Sequence, residues 1–174
     1  QGLAVAAFQS RTVAIRPDGS LELSLSTNSI ALKKFSVDTI GASGKVNIEV
    51  ANLSGRPTEL GVPPAAHIYQ YIQIGHNQLA SGSVGSARIN FEVPKSWIAS
   101  NDHADEDLAL ERHSGRWTVL PTRIVGQDSL TVRYEAVSPG LSLFAITADE
   151  PALRFARLAT RLDDPTPTPA TSVA

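Results

Sequence analysis

The residues Leu130-Thr131-Val132-Arg133-Tyr134-Glu135 show the pattern that decides the fold of this chain. Apolar and polar side chains alternate, so one face of the segment is apolar and the other is polar. Such a period-two alternation predicts a β-strand in an antiparallel sheet that has one buried and one solvated face. Outward from this segment, the same alternation recurs at 12–16, 21–26, 46–50, 88–93 and 108–111.

Turn-forming residues separate these segments. Pro17-Asp18-Gly19 joins the first two alternating runs and predicts a tight hairpin. Turns that recur about every ten residues, without a long helical pattern, predict an all-β fold, an antiparallel β-sandwich of Ig-like architecture. Further turn segments lie at 41–44, 82–86, 113–115 and 126–128.

Three segments depart from the strand pattern. Pro94-Lys95-Ser96-Trp97-Ile98-Ala99 predicts one short helical turn, because proline is tolerated at the start of a helix. Residues 150–162 fit an amphipathic helix and a final strand equally well. The Pro/Thr-rich residues 163–174 favour an extended stalk or linker, which could carry O-glycans. The alternative is a disordered tail. We therefore divide the chain into an N-terminal apolar segment (1–19), a sandwich (20–149) and a C-terminal segment (150–174).

Composition excludes several classes of function. The chain has 174 residues with 15 Lys and Arg against 17 Asp and Glu, so its net charge of -2 argues against a nucleic-acid partner. The absence of cysteine excludes disulfides, thiolate metal sites and cysteine nucleophiles. The longest stretch without charge, 60–87, is too polar to span a bilayer directly. Gln1 fits the residue that remains after a signal peptide is removed, so we expect an exported protein.

The sequence carries no recognisable catalytic or metal-binding motif. Gly82-Ser83-Val84-Gly85 lacks the spacing of a hydrolase nucleophile elbow. The acidic run 101–107 lacks the glycine and glutamate positions of a calcium-binding loop, so we expect a solvated turn. We therefore expect no enzyme, no cofactor and no metal. The four histidines are not at the spacing of zinc ligands. We expect them at strand ends or in loops: His67, His76, His103 and His113.

Two sets of residues are candidates for contact with glycans. Asn52-Leu53-Ser54 is an N-glycosylation sequon, expected in a surface turn after the strand at 46–50. Four aromatic residues would form either core anchors or a sugar-stacking platform: Tyr69, Tyr71, Trp97 and Trp117.

The N-terminal segment Leu3-Ala4-Val5-Ala6-Ala7-Phe8 is apolar at every position. It has two interpretations. In the first it is an ordinary first strand of the sandwich, buried on both faces. In the second it is a donor strand that completes the sheet of a neighbouring copy. The second interpretation has these candidate interface residues: Leu3, Val5, Ala7 and Phe8.

The second half of the chain resembles a known family. Lys95-Ser96-Trp97 is followed by Trp117 with Leu120-Pro121-Thr122, and then by Pro139-Gly140 with Phe144-Ala145-Ile146. In order and spacing these groups resemble the PGF-pre-PGF domain of archaeal cell-surface proteins, over residues 57–147 and back to about residue 20. The resemblance implies an exported, non-catalytic β domain of surface-layer-like or adhesive proteins, in which a Thr-rich stalk and a C-terminal anchor often follow.

The same motif has a physical interpretation. Pro139-Gly140 ends one strand so that the next begins, because proline cannot donate a hydrogen bond to a central strand pair. Trp117 and Tyr134 are expected to face each other across one sheet, and Trp97 to close one end of the sandwich. The structural core motif is then Trp97, Trp117, Tyr134, Pro139, Gly140 and Phe144.

Together these observations predict a non-catalytic extracellular structural protein of the cell surface. Its copies would form a homopolymer, such as a filament, a pilus or a surface layer, through donor-strand contacts. The alternative is an adhesive module that binds glycan or cell-wall polymer. The expected partners are copies of the chain itself and surface glycans, without nucleic acid and without a direct membrane span.

Overall fold

The computed structural model describes residues 4–57, 60–61, 67–80 and 82–149. They form eleven strands, a six-residue helix and a 3-10 turn at Asp105–Asp107. In chain order the elements are β1 (Val5–Ala14), β2 (Ser20–Ser24), β3 (Leu32–Thr39), β4 (Lys45–Leu53), β5 (His67–Asn77), β6 (Val84–Pro94), α1 (Lys95–Ser100), β7 (Leu108–His113), β8 (Trp117–Val119), β9 (Thr122–Gln127), β10 (Thr131–Ser138) and β11 (Leu143–Ala148).

Two antiparallel sheets pack face to face. Sheet 1 has the strand order β1-β4-β5-β11-β7-β8, and sheet 2 has the order β2-β3-β6-β10-β9. The predicted all-β sandwich is confirmed, and so is the single helical turn, which begins directly after Pro94. The first strand of sheet 1 lies within the segment 1–19. The helix-or-strand alternative at 150–162 and the Pro/Thr-rich tail lie outside the described residues.

The alternating residues supply the core between the sheets. In β10 the side chains of Val132, Tyr134 and Ala136 are all buried, as the alternation predicts. Tyr134 lies opposite Phe91 of β6, and the two rings stack with centroids 5.1 Å apart. Leu130 is the exception, because it precedes β10 in a turn and its side chain is 75% exposed. The apolar face of this strand therefore begins at Val132.

A second apolar cluster covers the outer face of sheet 1. Ala51, Tyr71 and Ala145 are buried there rather than between the sheets. The indole of Trp117 packs against this cluster, and its Nε1 donates a 3.1 Å hydrogen bond to the carbonyl oxygen of Leu60. This second layer explains why all six residues of β11 are buried.

The expected pairing of Trp117 with Tyr134 across one sheet is wrong. Trp117 lies on β8 in sheet 1, whereas Tyr134 lies on β10 in sheet 2. The short connection between the two segments holds an additional strand, β9, which crosses to the other sheet. Trp117 and Tyr134 are therefore close in sequence but lie in different sheets.

The Pro17-Asp18-Gly19 turn forms, but it is not a hairpin. The amide of Gly19 donates to the carbonyl oxygen of Arg16 at 2.9 Å, and Gly19 has a φ of 82°. However, β1 belongs to sheet 1 and β2 to sheet 2. The turn carries the chain from one layer of the sandwich to the other.

The Pro139-Gly140 pair separates two strands, as predicted. β10 ends at Ser138, and β11 begins at Leu143. Ser138 Oγ donates a 2.6 Å hydrogen bond to the carbonyl oxygen of Gly140, which closes the turn. Gly140 is buried and Phe144 belongs to the core, but Pro139 is exposed and does not belong to it.

Among the described residues, no helix has the length and apolar character needed to cross a membrane.

Candidate functional site

The described strands leave four open sheet edges. β1 and β8 end sheet 1, while β2 and β9 end sheet 2. β1 contacts β2, and β9 contacts β7. The edges of β1 and β2 therefore lie on one lateral side of the sandwich, and those of β8 and β9 lie on the other.

The edge of β1 is the longest of the four and the least protected. From Ala7 to Ala14 it pairs with β4 without interruption, a length of about 27 Å. Proteins usually protect a sheet edge with charges, proline, a bulge or a short strand. β1 carries one charge, Arg11, and its bulge is confined to its start at Val5 and Ala7. By comparison, β8 has three residues and β2 carries Glu22, which pairs with Lys34 at 3.0 Å.

The register of β1 shows which of its backbone groups face outward. Ile15, just after the strand, donates its amide to the directly opposite carbonyl of Gly44 at 2.8 Å. In an antiparallel pair, alternate residues turn both backbone groups to the partner and the others turn them away. From Ala7 onward, the odd-numbered residues of β1 therefore bond to β4. The outward amides and carbonyls belong to Phe8, Ser10, Thr12 and Ala14, at the spacing that an added strand requires.

The side chains of β1 contribute little to the core. None is buried, and those of Val5 and Phe8 are 53% and 58% exposed. Ala7 and Val13 are half-buried against the core. The segment is therefore the first strand of the sandwich, as the first interpretation had it, but the expected burial on both faces is wrong. Leu3, the remaining candidate interface residue, lies outside the described residues.

The other long open edge, β9, was not predicted from the sequence. Val137 of β10 donates its amide to the directly opposite carbonyl of Pro121 at 3.1 Å, so the outward groups of β9 include those of Ile124. Ile124 and Val125 are 37% and 46% exposed. The available signal was the three β-branched residues Thr122, Ile124 and Val125, which favour a strand without showing a regular alternation.

The sequon residue Asn52 does not lie in the expected surface turn. It lies within β4, opposite Ala7 of β1 on one side and Ile72 of β5 on the other. Its Nδ2 donates a 3.0 Å hydrogen bond to the carbonyl oxygen of Ser29. The nitrogen that would carry a glycan is therefore engaged in a hydrogen bond to a backbone carbonyl, and N-glycosylation of Asn52 stays a prediction.

The four aromatic candidates form two separate pairs. The rings of Tyr69 and Trp97 are 5.0 Å apart and inclined by 62°, and Trp97 packs against the core from α1. The rings of Tyr71 and Trp117 are 6.1 Å apart and inclined by 52°, on the outer face of sheet 1. Burial raises the pKa of both tyrosines. Inclined, half-buried or buried rings do not form a flat platform for a sugar.

Folding brings together two histidines that the sequence separates. His67 Nδ1 lies 2.7 Å from His103 Nε2, at hydrogen-bond distance, although the residues are 36 positions apart. Local spacing could not reveal this pair. His67 and His113 lie at strand ends, His103 follows α1, and His76 lies within β5 one residue before its end. Within the described ranges, no three histidine or acidic side chains converge in a way suited to a metal ion.

A cleft of about 290 Å³ lies where β9 meets the 3-10 turn. Arg123 in this cleft donates to Glu135 at 2.7 Å, which lowers the pKa of the carboxyl group. Asp107 accepts a hydrogen bond from the amide of Ala104 at 2.7 Å and is buried. The expectation of a solvated turn is therefore wrong for this residue. The cleft has these lining residues, which lack a nucleophile paired with a general base: Glu106, Leu108, Thr122, Arg123, Ile124 and Tyr134.

Comparison of the chain with models of known families, with curated proteins and with solved structures gives no match. The candidate site is thus defined by the geometry of the chain itself. It consists of the open edge of β1 on one side of the sandwich and the open edge of β9 on the other.

Proposed function

We propose that this chain is a non-catalytic structural subunit of the cell surface that assembles with copies of itself through β1. The observation that carries the proposal is the outer edge of β1. It presents four residues with outward backbone groups, a single charge and an exposed Phe8. A strand that pairs with this edge would extend sheet 1 by main-chain hydrogen bonds, as in strand addition to other sheets.

The estimated free energy of one such contact is close to zero. Each backbone hydrogen bond contributes about 1 kcal/mol, and burial of the exposed part of Phe8 adds about 1–2 kcal/mol. Association costs about 4–15 kcal/mol in lost translational and rotational freedom. An edge with about six hydrogen bonds therefore comes close to balance by itself. Such a contact becomes persistent where copies are concentrated, as they are when exported onto one surface.

The extracellular, cell-surface location is part of the proposal. It is supported by the resemblance of residues 57–147 to the PGF-pre-PGF domain of archaeal cell-surface proteins. The net charge of -2 also favours a structural over a nucleic-acid-binding role.

The sequence predicted that the first segment is donated to a neighbour. In the structure, β1 pairs with β4 of its own chain from Val5 to Ala14. Only residues 15–19 link β1 to β2, and they span at most about 20 Å when extended. Donation would require that link to open and a neighbouring β4 to lie within its reach. Addition to the outer edge of β1 requires neither step.

A proline at an outward position tests the role of the edge. Thr12→Pro removes an amide that points away from β4, so the pairing within the chain is kept while the outer edge is interrupted. Thr12→Val is the matched control, because it keeps the amide. We expect Thr12→Pro to remain monomeric in sedimentation and electron microscopy, while Thr12→Val assembles like the unmodified chain. Assembly of a correctly folded Thr12→Pro variant to the same extent would contradict the proposal.

A disulfide lock separates donation from edge addition. Ser10 and Glu49 lie opposite each other in the register of β1 and β4, and the chain has no cysteine of its own. The double substitution Ser10→Cys with Glu49→Cys would tie β1 to its own sheet when oxidised. Donation predicts that only the reduced protein assembles. Edge addition predicts that both forms assemble.

A further inference from the structure

We infer that the strand that adds to β1 is β9 of a second copy, so that the copies line up head to tail. This inference rests on the proposed self-assembly and names the partner surface. It requires that β1 and β9 be open on opposite sides of one molecule, which is how the described strands are ordered.

Exposed apolar side chains favour β9 among the available edges. β9 has six residues with a shift in register after Ile124, against five residues in β2 and three in β8. It presents Ile124 and Val125, which can cover the exposed ring of Phe8 on β1. Contacts between aromatic and β-branched side chains on neighbouring strands are among the favourable pairs in sheets.

Charge disfavours a second β1 as the partner and is compatible with β9. The one charged side chain of β1 is Arg11, so an arriving strand must not bring an uncompensated positive charge. Arg123 of β9 is neutralised by Glu135 at 2.7 Å. Two β1 strands paired antiparallel about their centre would instead place Arg11 against the same residue of the second copy, which is destabilising.

The position of the two edges determines the kind of assembly. A contact between two β1 edges would be related by a two-fold axis and would stop at a dimer. A contact between β1 and β9 joins unlike surfaces and leaves one of each open at the two ends. Such a contact continues into a filament unless the rotation between copies closes a ring. Sheet 1 of each copy would then be continuous with sheet 2 of the next.

A mixing experiment tests this arrangement. Thr12→Pro blocks β1 and keeps β9, whereas Ile124→Pro blocks the outward amide of β9 and keeps β1. We expect each variant alone to be monomeric in sedimentation and an equal mixture to form dimers without longer assemblies. Ile124→Val, which keeps the amide, is the matched control and should assemble like the unmodified chain.

The outcomes separate the partner from the function. If Ile124→Pro assembles alone while Thr12→Pro does not, β1 is used but β9 is not its partner, and the inference fails while the proposed function stands. If Thr12→Pro also assembles alone, the proposed role of β1 fails as well. Should Ile124→Pro fail to fold, as judged by its unfolding transition, Val125→Lys replaces it. A lysine on this edge must then abolish self-assembly but allow dimers with Thr12→Pro, and self-assembly that continues overturns the inference.

Discussion

The phenolic oxygen of Tyr134 donates a 2.8 Å hydrogen bond to the backbone carbonyl oxygen of Asp105. This bond links β10 in sheet 2 to the 3-10 turn that leads into β7 of sheet 1. The ring of Tyr134 is 1% exposed and stacks on Phe91. One side chain thus fills the core with its ring and joins the two sheets with its hydroxyl group.

Tyr134→Phe is expected to lower the free energy of unfolding by about 1 kcal/mol, because it removes this hydrogen bond and keeps the ring. Tyr134→Ala should cost about 3–5 kcal/mol, because it also leaves a cavity beside Phe91. Urea unfolding measures both losses of stability. The dependence of the free energy of unfolding on urea concentration should be unchanged in the phenylalanine variant. Equal costs for the two variants would mean that the stacked ring contributes nothing.

Stability is expected to fall at alkaline pH. All three tyrosines have a pKa above the ordinary value of 10.0, chiefly because burial disfavours the phenolate, and the effect is largest at Tyr134. The folded state therefore holds these protons more tightly than the unfolded state. Their contribution is fully present below pH 10 and decreases as the pH rises above it.

The measurement for this prediction is the free energy of unfolding as a function of pH, together with the absorbance of tyrosinate. We expect tyrosinate to appear together with unfolding. In Tyr134→Phe the decline of stability above pH 10 should be shallower. Tyrosinate signal from all three residues in a fully folded protein near pH 10 would refute the prediction.

Substitutions at two glycines distinguish the destabilisation caused by backbone strain from that caused by steric crowding. Gly19 and Gly41 both have positive φ angles, of 82° and 66°. A Cβ at Gly19 would lie 3.1 Å from the carbonyl oxygen of Thr39, whereas a Cβ at Gly41 would meet nothing within 4 Å. We expect Gly41→Ala to cost about 1 kcal/mol from strain alone and Gly19→Ala about 2 kcal/mol or more. Thermal unfolding of the two variants decides this, and a larger loss at Gly41 would contradict it.

The pair of Arg123 and Glu135 is expected to affect titration more than stability. The hydrogen bond from Arg123 lowers the pKa of Glu135 below its ordinary value of 4.5. A lowered pKa contributes stability that is present above pH 4.5 and is lost as the pH falls. Because the Arg123 side chain is 72% exposed, the contribution should be below about 1 kcal/mol.

NMR titration of Glu135 checks this expectation. In Arg123→Gln the pKa of Glu135 should rise toward 4.5. Arg133→Gln is the matched control, because Arg133 pairs with Asp128 at 3.6 Å and should leave Glu135 unchanged. A pKa of Glu135 that moves in the control and not in Arg123→Gln would show that the pair has been assigned to the wrong arginine.

Much of the architecture was predictable because the side-chain direction in a strand repeats every two residues. The alternation around Val132 and Tyr134 predicted both a strand and its buried face. The turns at Gly19 and Gly140 were also predictable from residue type. β9 was missed because its residues do not alternate, since its side chains line a cleft and an open edge.

Features that depend on which strands pair were not predictable from the local sequence. The pairing of His67 with His103 and the placement of Trp117 on the outer face of sheet 1 both depend on segments far apart in the chain. The same holds for Asn52, because its sequon predicts a surface turn, whereas its backbone pairs with β1 on one side and β5 on the other.

The sequence by itself therefore determined the class of the fold, because alternation, turn residues and the absence of cysteine act over a few residues at a time. Only the tertiary structure decided that β1 and β9 end their sheets on opposite sides of the sandwich. A strand is an edge strand when no other strand pairs with its second side. That condition is a property of the whole set of pairings, and no single segment of sequence encodes it.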